Sequence, residues 1–184
     1  MNTKNNQRAK DTEMRVEAVF LSLLSKKHIS KITVREVCEG AGITRTSFYS
    51  HYEDVYDLLH KIEHKVTVQM VPFLTDKDTQ QVHITRDSFV KIFRFIGENR
   101  IFYQYYFQNT NEEITFTLNH IKHFPKEYGE NKETLSPQRQ YRIAFFMGGL
   151  NAIIRQWLER DCADTPEEMV SILEAEYQTE KIWK

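Results

Sequence analysis

The sequence predicts an all-α protein of about nine helices, with an N-terminal three-helix unit that contains a helix-turn-helix and a C-terminal helical bundle. Two observations predict this class. Apolar residues recur at helical spacing along most of the 184-residue chain, and no segment has the alternating pattern of a strand. Several of these stretches also begin with a helix-start signal, such as Thr33, Thr44, or Ser136 followed by Pro137.

The N-terminal helices are defined by caps and a glycine turn. The first predicted helix runs over residues 9–27 and is followed by Thr33 to Glu36, a capping-box pattern in which each residue accepts from the other's amide. Gly40 to Gly42 ends this second helix because glycine tolerates positive φ. Thr44 then caps a third helix that is anchored by Phe48 and ends near residue 52. Two short helices joined by a tight glycine turn predict a helix-turn-helix.

The remaining helices are predicted at about 53–73, 85–98, 100–108, 111–124 and 136–160, with a last one starting at Thr165. Residues 76–79 read as a link. We therefore expect a helix-turn-helix domain at 1–52, a connecting helix at 53–73 and a C-terminal domain at 74–184.

The stretch from Ala41 to Leu59 carries a family resemblance. Ala41-Gly-Ile-Thr44, then Phe48-Tyr-Ser-His-Tyr52 and Leu58-Leu59, resembles the DNA-binding end of TetR-family transcriptional regulators over about residues 10–65. The resemblance implies a homodimer that binds a double-stranded, palindromic DNA operator. It also implies that the last two helices pair across the dimer axis. One position departs from the pattern, because the family commonly has a phosphate-contacting lysine where this chain has Val55.

The charge distribution agrees with DNA binding at one end. The net charge is −1, but residues 1–52 carry nine basic and five acidic side chains, and the remainder carries sixteen and twenty-one. A basic end on an acidic body is expected where only that end meets phosphates. Arg45 suits a bidentate contact to guanine, and Tyr49 and His51 suit phosphate. The predicted DNA-binding residues are Thr33, Thr44, Arg45, Thr46, Ser47, Tyr49, Ser50 and His51.

Aromatic side chains are concentrated in the C-terminal part. They can fill a core solidly, or they can line a cavity for a mostly apolar or aromatic effector. The predicted ligand-binding residues are Phe89, Phe93, Tyr103, Tyr106, Phe107, Phe116, Tyr141, Phe145 and Asn151. The predicted dimer surface comprises Leu150, Ile154, Trp157, Met169, Leu173 and Tyr177. We expect a repressor released when such a ligand tilts the connecting helix.

Other functional classes have little support. No motif for a phosphate loop, nucleophilic elbow or zinc protease is present, so neither an enzyme nor a cofactor is expected. His60 and His64 have metal-ligand spacing but no nearby third ligand, and they read as a solvated pair. Two cysteines without a pairing pattern, and no signal or membrane segment, predict a cytoplasmic protein. Two alternatives remain, namely an activator controlled by a co-regulator protein and a helical adaptor that does not bind DNA.

Overall fold

The computed structural model describes residues 3–74, 85–109 and 136–177, and it confirms the all-α class. These ranges contain eight α-helices, one 3-10 turn and no strand. The elements are α1 (Thr3–Leu24), the 3-10 turn (Ile29–Lys31), α2 (Val34–Ala41), α3 (Arg45–Tyr49), α4 (Val55–Leu74), α5 (Arg86–Glu98), α6 (Arg100–Asn109), α7 (Pro137–Glu159) and α8 (Pro166–Tyr177). The predicted helix at 111–124 and the predicted link at 76–79 lie outside the described residues.

Two helices differ from their predicted lengths. Helix α1 begins at Thr3 rather than near residue 9, because polar contacts such as the Gln7–Asp11 hydrogen bond (3.0 Å) extend it beyond its apolar stripe. Helix α3 ends at Tyr49 rather than near residue 52. There the chain tightens into a turn, since the amides of His51 and Tyr52 both donate to the Phe48 carbonyl at 2.9 Å.

The chain divides into two compact units, Met1–Val66 and Thr67–Lys184, and the division falls within α4. In the first unit, α2 packs closely on α1 at Gly40. A Cβ at this position would lie 2.6 Å from Val19 Cγ1, so any larger residue here would force the Val19 side chain or the helix to shift. The buried core of the unit includes Val16, Phe20, Leu24, Val37, Ala41, Phe48, Tyr52, Val55, Leu58 and Ile62.

In the described part of the second unit, α5 pairs with α8 and α6 pairs with α7. Ion pairs join α5 to α8 on their exposed sides, Arg86 with Glu174 (3.2 Å) and Arg94 with Glu167 (2.8 Å). The Phe93 ring packs edge-on against Trp157, with 5.4 Å between the ring centroids. These contacts make α5 a central helix of the unit.

Helices α7 and α8 are joined by a turn with unusual backbone geometry. Asp161 and Cys162 both have positive φ, 53° and 56°, which non-glycine residues seldom adopt. The turn is held by two hydrogen bonds, from the Cys162 amide to the Trp157 carbonyl and from Trp157 Nε1 to the Asp164 carbonyl, each 2.9 Å. No helix within the described ranges is long and apolar enough to cross a bilayer.

Candidate nucleic-acid interface

The start of α2 is held by a reciprocal cap. The Glu36 amide donates to Thr33 Oγ1 (3.3 Å), and the Thr33 amide donates to Glu36 Oε2 (3.0 Å), so the predicted capping box is confirmed. Lys27 Nζ also pairs with Glu36 Oε1 at 2.6 Å. Hydrogen bonds from Lys27 and Thr33 lower the pKa of Glu36 to about 2, and the glutamate remains a carboxylate at neutral pH.

The turn after α2 is fixed from two sides. Gly42 has φ of 63°, and its amide donates back to the carbonyls of Cys38 and Glu39. From α1, Arg15 Nη1 donates to the Ala41 carbonyl at 3.2 Å, which places a positive charge at the C-terminal end of α2. The orientation of α3 therefore depends on a side chain that lies far away in the sequence.

Helix α3 is short and is anchored by one ring. Its N-cap Thr44 accepts from the Ser47 amide at 3.1 Å. Phe48 has no exposed surface and contacts the rings of Tyr49 and Tyr52, with centroid distances of 5.7 and 5.2 Å. Because this ring points into the core, the remaining α3 side chains face outward.

The eight predicted DNA-binding residues fall into two groups. Four have side chains already hydrogen-bonded within the chain. Thr33 and Thr44 are caps, Ser50 Oγ donates to the Ser47 carbonyl (2.7 Å), and His51 Nδ1 lies 3.2 Å from Glu13 Oε1. The other four, Arg45, Thr46, Ser47 and Tyr49, have no side-chain hydrogen bond among the residues the structure describes. Of these four, Arg45, Thr46 and Tyr49 are exposed, Tyr49 by 57%, and Ser47 is half-buried.

Carboxylates accept hydrogen bonds from the backbone amides at the beginning of α4. Asp54 Oδ1 accepts from the amides of Tyr56 (2.8 Å) and Asp57 (2.9 Å), and Asp57 Oδ2 accepts from the Glu53 amide (3.0 Å). Val55 is 6% exposed and belongs to the core. The position where the resembled family has a lysine thus presents neither a cation nor free amides.

Three contacts at this interface were not expected from the sequence. Arg15 and Glu13 reach from α1 to Ala41 and His51, and Lys61 Nζ donates to the His51 carbonyl at 2.6 Å. These partners are separated by 26, 38 and 10 residues. No local pattern signals such contacts, because they depend on how the helices pack.

The aromatic candidates of the second unit separate into buried and exposed residues. Phe89, Phe93, Tyr103, Tyr106, Phe107 and Asn151 are buried. Tyr141 and Phe145 are 76% and 75% exposed, so α7 faces outward at these two positions. Phe116 lies outside the described residues.

Tyr103 is the most unusual member of the buried group. Its side chain is 1% exposed, and its hydroxyl has no hydrogen-bond partner among the residues that are described. Burial raises its pKa, so the phenol stays protonated and can donate. Asn151, by contrast, donates to the Met147 carbonyl one turn earlier (2.8 Å).

Most of the predicted dimer-surface residues are buried. Leu150, Ile154, Trp157, Met169 and Leu173 are all buried within the subunit, because their side of α7 and α8 packs against the unit's own core. The side chain of Tyr177 lies outside what the structure describes. Among the side chains described on α7 and α8, the large apolar ones that are exposed are instead Tyr141, Phe145 and Ile172.

The histidine and cysteine candidates have ordinary surroundings. His60 lies on the surface with Nδ1 3.3 Å from Glu63, and Cys38 is buried. Within the described ranges, no group of three or more His, Cys, Asp or Glu side chains is arranged to hold a metal ion.

Comparison with known proteins identifies the family. The TetR-type sequence profile for the C-terminal region of transcriptional regulators matches residues 85–175. The chain belongs to the TetR-type transcriptional regulators. This TetR-type chain is also 23% identical over 188 residues to YxbF of Bacillus subtilis (strain 168), an uncharacterized HTH-type transcriptional regulator. The alignment covers 94% of the chain but 44% of YxbF, so the chain spans less than half the length of this curated relative.

Solved structures share the fold of this TetR-type chain. The dihydroxyacetone kinase operon activator DhaS superposes with a TM-score of 0.60 at 18% identity, covering 92% of this chain and 95% of DhaS. A TetR transcriptional regulator from Streptococcus agalactiae 2603V gives 0.57 at 19% identity, covering 94% and 96%. At these identities the likeness concerns the fold alone.

Proposed function

We propose that this TetR-type regulator binds duplex DNA sequence-specifically by placing α3 in the major groove. The observation that carries the proposal is the combination of a rigid turn at Gly42 and an outward-facing Arg45 at the first position of α3. Recognition helices contact base edges with their N-terminal residues, and arginine makes the commonest specific contact, to guanine. Thr46 and Tyr49 flank this arginine on the same short helix.

The test begins with selection of bound duplexes from a random pool, followed by affinity measurements on the selected site. Arg45→Ala is expected to weaken specific binding by roughly 1 to 3 kcal/mol and to relax one base position. The matched control is Arg160→Ala, which removes the same charge from an exposed arginine of the second unit that is paired with Asp164. If Arg45→Ala binds the selected site as the wild type does, Arg45 is not the base-reading residue.

The regulator is proposed to act as a homodimer, because one helix-turn-helix reads few bases and such proteins commonly bind paired half-sites. The exposed apolar side chains Tyr141, Phe145 and Ile172 on α7 and α8 support a second copy of the chain as the partner of this surface. Sedimentation should give a dimer at micromolar concentration and a monomer for the Phe145→Asp variant. A wild-type monomer, or a selected site without two-fold symmetry, would contradict the dimer.

Repression released by a small apolar or aromatic ligand is the proposed mode of control. The buried rings around Tyr103 supply an apolar environment, and its hydroxyl is a donor that an acceptor on the ligand can satisfy. Helix α4 spans about 30 Å at 1.5 Å per residue, and its last turn reaches this unit, where Phe73 packs against Phe95 at 5.7 Å. A ligand that shifts α4 must favour the DNA-free arrangement, typically by about 1 to 3 kcal/mol.

This mode of control is tested by screening cell-extract fractions for release of the protein from its selected DNA. At least one fraction should release the wild type, and Tyr103→Phe should need more of the same fraction. If no fraction releases the wild type, control by a ligand is excluded under these conditions and the alternative below gains support.

Activation through a co-regulator protein is the second candidate. Large exposed aromatic residues such as Tyr141 and Phe145 also fit a protein partner, and the similar structure DhaS is named as an operon activator. Transcription in vitro from a promoter that contains the selected site distinguishes the two modes. Added protein should lower the transcript yield if the chain represses, and should raise it only together with a co-regulator if the chain activates.

A further inference from the structure

The basic side chains of the first unit differ in whether a carboxylate already neutralises them. Four are engaged in ion pairs: Lys27 with Glu36 (2.6 Å), Arg35 with Glu39 (2.7 Å), Lys61 with Asp57 (3.0 Å) and Lys65 with Glu17 (2.6 Å). A phosphate that binds one of these side chains strongly must compete with the carboxylate that is already paired with it. Part of the positive charge of the first unit is therefore neutralised within the unit itself.

Lys31 belongs to a second group, with Lys10 and Lys26, that forms no ion pair among the described residues, and within this group its position distinguishes it. It is the last residue of the 3-10 turn, is exposed, and stands two positions before the Thr33 cap of α2. Its amide donates to the His28 carbonyl at 3.0 Å, which holds the backbone in place. Its ammonium has no ion pair or hydrogen bond among the residues that the structure describes.

The other expected phosphate position is unfavourable in this chain. At the start of α4, Val55 is buried, and the amides of Tyr56 and Asp57 are taken by the Asp54 carboxylate. Glu53 adds a second exposed carboxylate beside it. A phosphate placed there would meet negative charge, so backbone contacts must come from elsewhere on the unit.

We propose that Lys31 is a DNA phosphate-binding residue, which compensates at the start of α2 for the contact that the start of α4 does not make. The inference rests on the proposed DNA binding. In helix-turn-helix docking the first helix crosses the sugar–phosphate backbone while the second enters the groove. Lys31, just before α2, would therefore face the sugar–phosphate backbone of the DNA. Arg45, at the start of α3, would face the base edges in the groove.

The experiment measures the affinity of the full chain for its selected duplex, by fluorescence anisotropy, between about 50 and 200 mM salt. Each neutralised phosphate contributes about 0.9 to the slope of log K against log salt concentration. Lys31→Gln should lower the magnitude of this slope by about 0.9 per subunit bound, because one phosphate in each half-site is no longer neutralised, and it should not change which bases are preferred. Lys31→Arg should restore the slope.

Lys65→Gln is the matched control, since it removes the same charge from an exposed lysine of the same unit that is already paired with Glu17. It should leave the slope close to the wild-type value. An equal decrease of slope in both variants would show a general charge effect and overturn the assignment, as would a wild-type slope in Lys31→Gln. If the wild type itself binds no duplex, the proposed function fails together with this inference, and that result is distinct from the other two.

Discussion

The two units of this regulator use similar helices but place their candidate functional side chains differently. In the first unit, Arg45, Thr46 and Tyr49 project outward from a helix that is anchored by one buried ring. In the second unit, aromatic side chains of one helix divide, because Phe146 is buried and Phe145 is exposed. A surface for a rigid, charged partner can be specified by short-range caps, whereas an interior for an apolar ligand depends on how whole helices pack.

The largest expected effect is the loss of stability when a buried ring, rather than an exposed side chain, is removed. Phe48→Ala and Phe93→Ala each remove a ring with no exposed surface, one in each unit, and should lower the free energy of unfolding by about 3 to 5 kcal/mol. The control Met14→Ala removes an apolar side chain that is 55% exposed and should stay within about 0.5 kcal/mol of the wild type. Urea unfolding followed by circular dichroism measures all three. A large loss for Met14→Ala would mean that exposure in the structure does not separate structural from non-structural apolar side chains.

A smaller effect is expected where α1 holds the helix-turn-helix. Arg15→Ala removes the charged hydrogen bond to the Ala41 carbonyl and should cost roughly 1 to 2 kcal/mol of stability. It should also weaken DNA binding, because the turn that orients α3 becomes looser. Arg8→Ala, which removes an exposed arginine of the same helix, should leave thermal stability unchanged. Equal melting temperatures for the two variants would argue against the role of Arg15.

Replacement of tyrosine by phenylalanine is expected to affect stability in the second unit and DNA binding in the first. Tyr103→Phe removes a buried hydroxyl that has no partner among the described residues, and should raise stability by roughly 1 kcal/mol. Tyr49→Phe removes an exposed hydroxyl, and should leave stability unchanged while weakening DNA binding evenly across sequences. Thermal melts and binding titrations on the two variants check this contrast. Destabilisation by Tyr103→Phe would show that its hydroxyl is satisfied, for example by a buried water.

The smallest effect is the acid dependence of the two capping boxes that contain a glutamate, Thr33 with Glu36 and Thr165 with Glu168. The pKa of Glu36 is lowered from 4.5 to about 2, and a depressed carboxyl contributes stability that is complete above its unfolded value. This contribution is lost as the pH falls through the window between those values. The pKa of Glu168 is also lowered, but by Thr165 alone, without a cation such as Lys27. Melting temperatures measured down to acidic pH should therefore decline less steeply for Glu36→Gln, and Glu168→Gln should differ less from the wild type.

Much of the first unit was predictable from the sequence. The caps at Thr33 and Thr44 form as predicted, and so does the cap at Thr165 in the second unit, because each cap joins residues only three positions apart. The anchoring role of Phe48 also follows from its spacing. The predicted lengths of α1 and α3 differ from those in the structure, because helix ends depend on contacts beyond the apolar stripe. The contribution of Arg15 could not be predicted, since its partner lies 26 residues away.

The sequence by itself determined the all-α class, the helix-turn-helix with its glycine turn, and the set of side chains on α3. These features depend on local hydrogen bonds and on helical periodicity, which are written in neighbouring residues. Only the tertiary structure decided that Leu150 and Trp157 face the core, that Tyr141 and Phe145 face outward, and that Lys31, unlike Lys27, has no carboxylate partner within the described ranges. Periodicity shows which residues share a helix face, but packing against other helices decides which face is covered and which charges are paired.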